Sequence, residues 1–199
     1  MRPTLHVIEW HGPGRLATMS HPRGGDWLED EMSALVEADV DVLVSALTSE
    51  ESDRLALTQE REAARAAGIV FLPFPIPDRG VPEPGPAAIE LAIRLAAHVR
   101  AGRFVVTHCF AGIGRATLLA GATLVTLGAR PAHALRLIAT ARGLDVPDTD
   151  AQREWLFDFA AAHACYRERA WPGRLVAPRP RAPESGSTTV TSSGGVPSA

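Results

Sequence analysis

Val105-Val106-Thr107-His108-Cys109-Phe110-Ala111-Gly112-Ile113-Gly114-Arg115 runs from a β-branched stretch through a glycine-containing turn into the start of a helix. A cysteine opens the turn and an arginine closes it, with five residues between them. Backbone N–H groups of a tight loop at a helix N-terminus form a ready site for an anion. The same positive end favours thiolate over thiol at Cys109. Arg115 supplies a planar fork of donors able to hold two oxygens of one anion. Gly112 and Gly114 let the backbone turn inward without a Cβ in the way. The stretch therefore predicts a thiolate nucleophile beside a phosphate-sized cradle made of Phe110, Ala111, Gly112, Ile113, Gly114 and Arg115.

On either side, apolar patterning alternates between strands and helices. Leu5–Ile8 and Arg15–Met19 read as short strands. Asp26 is placed to cap a helix to about Ala38, with Trp27, Leu28, Met32, Leu35 and Val36 as its apolar face. Val40–Leu47 and Ile69–Phe74 are nearly all apolar, as buried strands are. Between them, Ser49 or Ser52 would cap one Glu-, Arg- and Ala-rich helix ending at Gly68. Val81–Pro86 is a turn and Ala87–Ala101 a helix. Phe104–Thr107 is the strand feeding the cysteine and Arg115–Leu127 the helix behind it. A further helix opens on Pro131, and a last one, capped by Asp148 or Thr149, runs to about Arg169. This order predicts a single α/β domain over residues 1–176, with a mainly parallel central sheet and helices on both faces. The nucleophile then lies at the carboxyl end of a strand, where such folds place ligands. Residues 177–199 turn to Pro, Ser, Thr and Gly and are expected to be a disordered tail.

Composition narrows the function classes. The 199 residues are 46% hydrophobic and 22% charged, ample for one buried core. The net charge of -3 argues against nucleic acid as a partner. No apolar run reaches membrane-spanning length, so the expectation is a cytoplasmic protein without membrane insertion. Two cysteines, Cys109 and Cys165, make no disulfide framework. No metal-ligand spacing is present, so no metal or cofactor is expected; His6, His11, His133 and His163 read as surface or core histidines. The chain has no lysine and no asparagine, and its Ala, Arg, Gly and Pro content points to a GC-rich bacterial genome.

His108-Cys109-x-x-Gly112-x-x-Arg115 resembles the signature of the cysteine-dependent protein-tyrosine and dual-specificity phosphatases, over roughly residues 5–170, and its small bacterial dual-specificity-like branch in particular. The resemblance implies a phosphotyrosine phosphatase-like fold, a phosphocysteine intermediate and a phosphotyrosine protein as substrate. It also implies a general-acid aspartate on an upstream loop. Phe71-Leu72-Pro73-Phe74-Pro75-Ile76-Pro77-Asp78-Arg79-Gly80 supplies one. Its prolines stiffen the loop, Gly80 lets it bend, and Asp78 can protonate a leaving oxygen. Arg79 would touch substrate or pair with Glu83. The rival Pro147-Asp148 pair precedes a helix and reads as capping chemistry instead. Gln152 is placed as in relatives where a glutamine orients the hydrolytic water, or it is a solvent-facing helix residue. His108 would orient the loop by hydrogen bonding. Arg15, Arg23 and Trp27 lie in a segment that resembles the same relatives, with helix packing the simpler role for Trp27. One departure stands out: the family has Ser or Thr after the arginine, whereas this chain has Ala116 followed by Thr117. Phosphoinositide hydrolysis and turnover-free phosphoprotein binding stay open as alternatives.

Overall fold

The computed structural model describes residues 3–83 and 85–170. The expected domain end at 176 and the tail beyond it lie outside these residues. The strands are β1 (His6–Val7), β2 (Arg15–Ser20), β3 (Val42–Ser45), β4 (Val70–Pro73) and β5 (Phe104–Cys109). They form one sheet in the order β1-β2-β5-β3-β4. Only the β1–β2 pair is antiparallel; β2, β3 and β4 join through parallel ladders centred on β5. The helices are α1 (Leu28–Glu37), α2 (Ser49–Arg54), α3 (Glu60–Ala66), α4 (Ala87–Arg100), α5 (Arg115–Leu127), α6 (Pro131–Arg142) and α7 (Asp150–Ala170).

Period-two alternation divides the strand residues between two cores. Leu16, Val42, Val44 and Val105 face Leu95 and Val99 of α4, Leu119 and Leu124 of α5, and Ile138 of α6. Their neighbours Ala17, Met19, Leu43 and Val106 face Leu28, Met32 and Leu35 of α1 and Ala64 of α3. The sheet is thus covered on both faces, as expected. Helix α5 is buried along almost its whole length, between the sheet and α4, α6 and α7. Among the described residues no helix is long and apolar enough to cross a membrane.

Three local expectations are corrected. The first helix starts at Leu28, after a 3-10 turn over Gly25–Trp27, and Asp26 does not cap it. That turn throws Trp27 out of register with the helix face. It is 55% exposed, with the Arg23 guanidinium 4.6 Å above its ring, while Val36 is exposed as well. The Glu-rich helix is two helices, capped by neither serine. Thr48 caps α2, and the chain leaves helical geometry at Ala56 (φ 53°). The break buries Leu57 in the core and lets the Ala56 carbonyl accept the Gly25 N–H at 2.9 Å.

Candidate active site

The buried strand β5 ends on Cys109 and α5 begins at Arg115, so residues 110–114 close a loop over the helix N-terminus. Cys109 is 3% exposed, and its Sγ accepts the Gly112 N–H at 3.3 Å. Gly112 has φ 72°, and a Cβ there would stand 2.3 Å from the Met19 carbonyl oxygen of β2. Only glycine satisfies both conditions. The loop is fixed from outside as well. The His21 N–H donates to the Phe110 carbonyl at 3.2 Å, and Arg142 Nη2 donates to the Ala111 carbonyl at 3.2 Å.

Arg115 is buried and strongly held. Its Nη1 donates to Glu51 Oε2 at 2.6 Å and to the Ile76 carbonyl at 3.0 Å. Its Nη2 donates to Glu51 Oε1 at 2.8 Å and to Asp78 Oδ1 at 3.0 Å. Both terminal nitrogens are therefore fully engaged. Burial opposes the guanidinium charge, but the Glu51 hydrogen bonds and the negative charges of Cys109, Glu51 and Asp78 hold its pKa above the ordinary range. In return, the Arg115 hydrogen bonds hold the Glu51 carboxyl below the usual carboxylate range, against burial. Glu51 also completes a reciprocal cap on α2. It accepts the Thr48 N–H at 3.0 Å, while its own N–H donates to Thr48 Oγ1 at 3.3 Å.

A cavity of about 200 Å³ opens over this loop. Cys109, Phe110, Ala111, Ile113, Gly114, Arg115, Asp78, Arg79, Asp148 and Gln152 line it. The structure thus brings the sequence candidates together, with one exception. His108 is fully buried behind the loop, its Nε2 2.9 Å from Glu60 Oε1 of α3. The close polar neighbour of the ring is thus a carboxylate of α3, and among the described residues the ring makes no hydrogen bond to the loop. At this position the fixed link is the backbone, where the His108 carbonyl accepts the Ala46 N–H of the chain following β3.

Asp78 sits at the cavity rim, its side chain 69% exposed. Arg79 has φ 56° and pairs at 3.4 Å with Asp148, not with Glu83. The cap on α7 comes from Thr149, whose Oγ1 accepts the Gln152 N–H at 3.2 Å, so Asp148 serves the cavity rim instead. Gln152 is fully buried, which removes its solvent-facing alternative. Its Nε2 donates to the Gly80 carbonyl at 2.9 Å, and its amide lies against Gly114. Ala116 is buried and its carbonyl accepts Thr107 Oγ1 at 3.0 Å. The Thr117 hydroxyl donates to the Ile113 carbonyl. A thiol, a fixed guanidinium and an exposed carboxyl thus meet in one small cavity.

Two contributors escaped the sequence reading. Glu51 was findable, because Thr48-Ser49-Glu50-Glu51 spells a capping box. Arg142 carried no local signal; its place follows from how α6 packs beside the loop.

The chain is similar to several known proteins. Cyclin-dependent kinase inhibitor 3 of Rattus norvegicus is 33% identical over 101 residues, which make up 50% of this chain and 47% of that protein. The match thus spans about half the length of that relative. Kinase associated phosphatase, solved with its catalytic cysteine replaced by serine, superposes with a TM-score of 0.73 at 18% identity, covering 82% of this chain and 97% of that one. The active form of Tk-PTP gives 0.64 at 26% identity, covering 81% and 99%. PTPMT1 in complex with PI(5)P gives 0.61 at 20% identity, covering 76% and 94%. The likenesses at 18% and 20% identity show a shared fold. Residues 17–129 match the family described as "Polymorphic toxin system, DSP-PTPase phosphatase". By that match, over more than half its length, the chain belongs to this family of dual-specificity-type phosphatases.

Proposed function

We propose that this phosphatase hydrolyses protein phosphotyrosine through a phosphocysteine formed on Cys109. The observation that carries the reading is the Cys109 sulfur under the Gly112 N–H, in the cavity that Arg115 also lines. In the first step Cys109 Sγ attacks phosphorus, the bond from phosphorus to the phenolic oxygen breaks, and Asp78 gives that oxygen a proton. In the second step water attacks the phosphocysteine, Asp78 takes a proton from it, and the phosphorus–sulfur bond breaks to return thiolate and inorganic phosphate. Loop N–H groups and Arg115 stabilise the charge on the transferring group. An aryl substrate is favoured by the exposed Phe110 ring at the cavity, 5.3 Å from the His21 ring. A phosphoinositide is disfavoured because Phe110, Ala111 and Ile113 bring no charge for further phosphates. Cys109 and Cys165 are both free thiols, which suits a reducing compartment such as the cytoplasm.

Phosphate release from a phosphotyrosine peptide, a phosphoserine peptide and a phosphoinositide tests the reading. Release from the first should dominate and vanish in Cys109→Ser. Equal turnover by Cys109→Ser would reject the mechanism. Preference for the lipid would reject the substrate class.

A further inference from the structure

We propose that Gln152 is a positioning residue for the Asp78 loop, holding it over the phosphate cradle through the Gly80 carbonyl. The proposal rests on the reading of Asp78 as proton donor. Asp78 lies between two anchors. On its N-terminal side the Ile76 carbonyl accepts Arg115 Nη1 at 3.0 Å and the Ile76 N–H donates to the Ala46 carbonyl at 3.1 Å. On its C-terminal side the Gly80 N–H closes a turn onto the Pro77 carbonyl at 2.8 Å, with Arg79 in the left-handed region at φ 56°. In so tight a turn the place of Gly80 fixes the place of Asp78. The Gly80 carbonyl in turn accepts Gln152 Nε2 at 2.9 Å.

Three features make Gln152 the effective strap. It is fully buried, so its end of the hydrogen bond is shielded from water, while the accepting Gly80 is half-buried. A carbonyl can only accept, so the amide must present its nitrogen to Gly80. Its carboxamide is wedged by Gly114, where a Cβ would stand 2.8 Å from Oε1 and 2.9 Å from Nε2. The same side chain therefore touches the phosphate cradle and the acid loop and sets their separation. The second strap, Arg79 to Asp148, is 3.4 Å long with both side chains well exposed, and it contributes little. Holding an acid loop is a different task from orienting the hydrolytic water, and kinetics separate the two. A misplaced acid slows cleavage of the ester, which kcat/KM reports. A misplaced water slows breakdown of the phosphocysteine, which kcat alone reports.

Gln152→Met keeps the length of the side chain and removes the donor. Its kcat/KM for phosphotyrosine should fall about tenfold, a part of the 10²–10⁴ that a whole general acid supplies. For 2,4-dinitrophenyl phosphate, whose leaving group needs no proton, the change should stay below about twofold. Gln152→Leu, which is also neutral and lacks the donor, should behave alike and guards against poor packing of methionine. Asp78→Ala/Gln152→Met should be no slower on phosphotyrosine than Asp78→Ala. Three outcomes overturn the proposal: equal losses on both esters, additive losses in the double variant, or a loss in kcat with a product burst while kcat/KM holds. If Asp78→Ala itself spares phosphotyrosine, the acid assignment falls and the strap with it. If Asp78→Ala is slow while Gln152→Met is normal, the strap alone falls.

Discussion

Replacing Glu51 by glutamine isolates the contribution of the carboxylate that carries Arg115. The amide oxygen can keep the Thr48 N–H and Arg115 Nη1, now bonded to Oε2 at 3.0 and 2.6 Å. The new NH₂ group must then face Arg115 Nη2, donor against donor, where Oε1 accepts at 2.8 Å today. One charge-assisted hydrogen bond, about 1.5–3 kcal/mol, is lost together with the main counter-charge. Breaking a buried ion pair costs about 3–5 kcal/mol. The Ile76 carbonyl and Asp78 remain as partners, which places the cost near the lower end, about 3 kcal/mol. For a domain of this size that lowers Tm by roughly 6–12 °C. Because a loosened guanidinium no longer meets the transferring phosphoryl group, kcat/KM on an aryl phosphate should drop at least about tenfold. Thermal melting and steady-state kinetics read both effects. The pH dependence is a further check. The Glu51 carboxyl is held below its usual range in the folded protein, so its stabilisation is complete above the unfolded value and is lost as pH falls through the folded one. The gap in Tm between wild type and variant should stay constant from pH 7 to about 5.5 and close on further acidification. An unchanged Tm with full activity would falsify the argument, showing that Ile76 and Asp78 suffice to hold the arginine.

Other expectations follow from the same contacts. Asp78 Oδ1 occupies one Nη2 donor of Arg115, so an incoming phosphate oxygen must displace it. Asp78→Asn should therefore tighten inhibition by inorganic phosphate several-fold while slowing phosphotyrosine turnover, and weaker inhibition would refute the competition. Ala116 offers no hydroxyl to the departing sulfur and the Thr117 hydroxyl is committed to Ile113, so phosphocysteine breakdown should limit the rate. Rapid mixing with an aryl phosphate should show a burst close to the enzyme concentration, and Ala116→Ser should shrink it and raise the steady rate about tenfold, given about 1.5–3 kcal/mol for a hydrogen bond to a charged group; absence of both would show that another group serves the sulfur. His6, His98 and His163 are all held below the ordinary histidine range, chiefly by burial, with nearby arginines adding to it. The unfolded chain then binds more protons below about pH 6.5, so Tm should fall between pH 7.5 and 5.5. His163→Phe, which keeps the stack on Phe159, should reduce that fall.

The centre of the fold was legible because every constraint on it is local. A β-branched strand, two glycines and an arginine at fixed spacing specify β5, the loop and the start of α5 without help from the rest of the chain. The place of Asp78 beside the cavity was legible as well, from its proline-stiffened loop and the family resemblance together. What escaped depends on packing between distant segments. Glu51 meets Arg115 from the first turn of α2, a contact between residues 64 apart in the chain that only the packed fold brings together. Trp27 misled because a 3-10 turn, invisible to a 3.6-residue period, shifts it off the helix face. Asp148 has the composition of a cap, yet Thr149 takes that role and leaves the carboxylate to Arg79. The burial of Gln152 depends on how closely α7 approaches the loop, a distance fixed by Gly114 and the Gly80 turn.

The groups that surround the anion cavity come from scattered parts of the chain: Glu51, Ile76 and Asp78, the 109–115 loop, and Gln152. Parallel strand connections force this dispersal, since each return to the sheet consumes a helix. A partly folded chain can present the thiol, but it has no paired arginine and no tethered acid beside it. Catalytic competence is therefore a late event in maturation, gated by contacts of long sequence separation that are slow to close. During refolding, helical ellipticity should recover ahead of ester hydrolysis. The enzyme's own turnover is then a stricter indicator of completed chain closure than any measure of secondary structure.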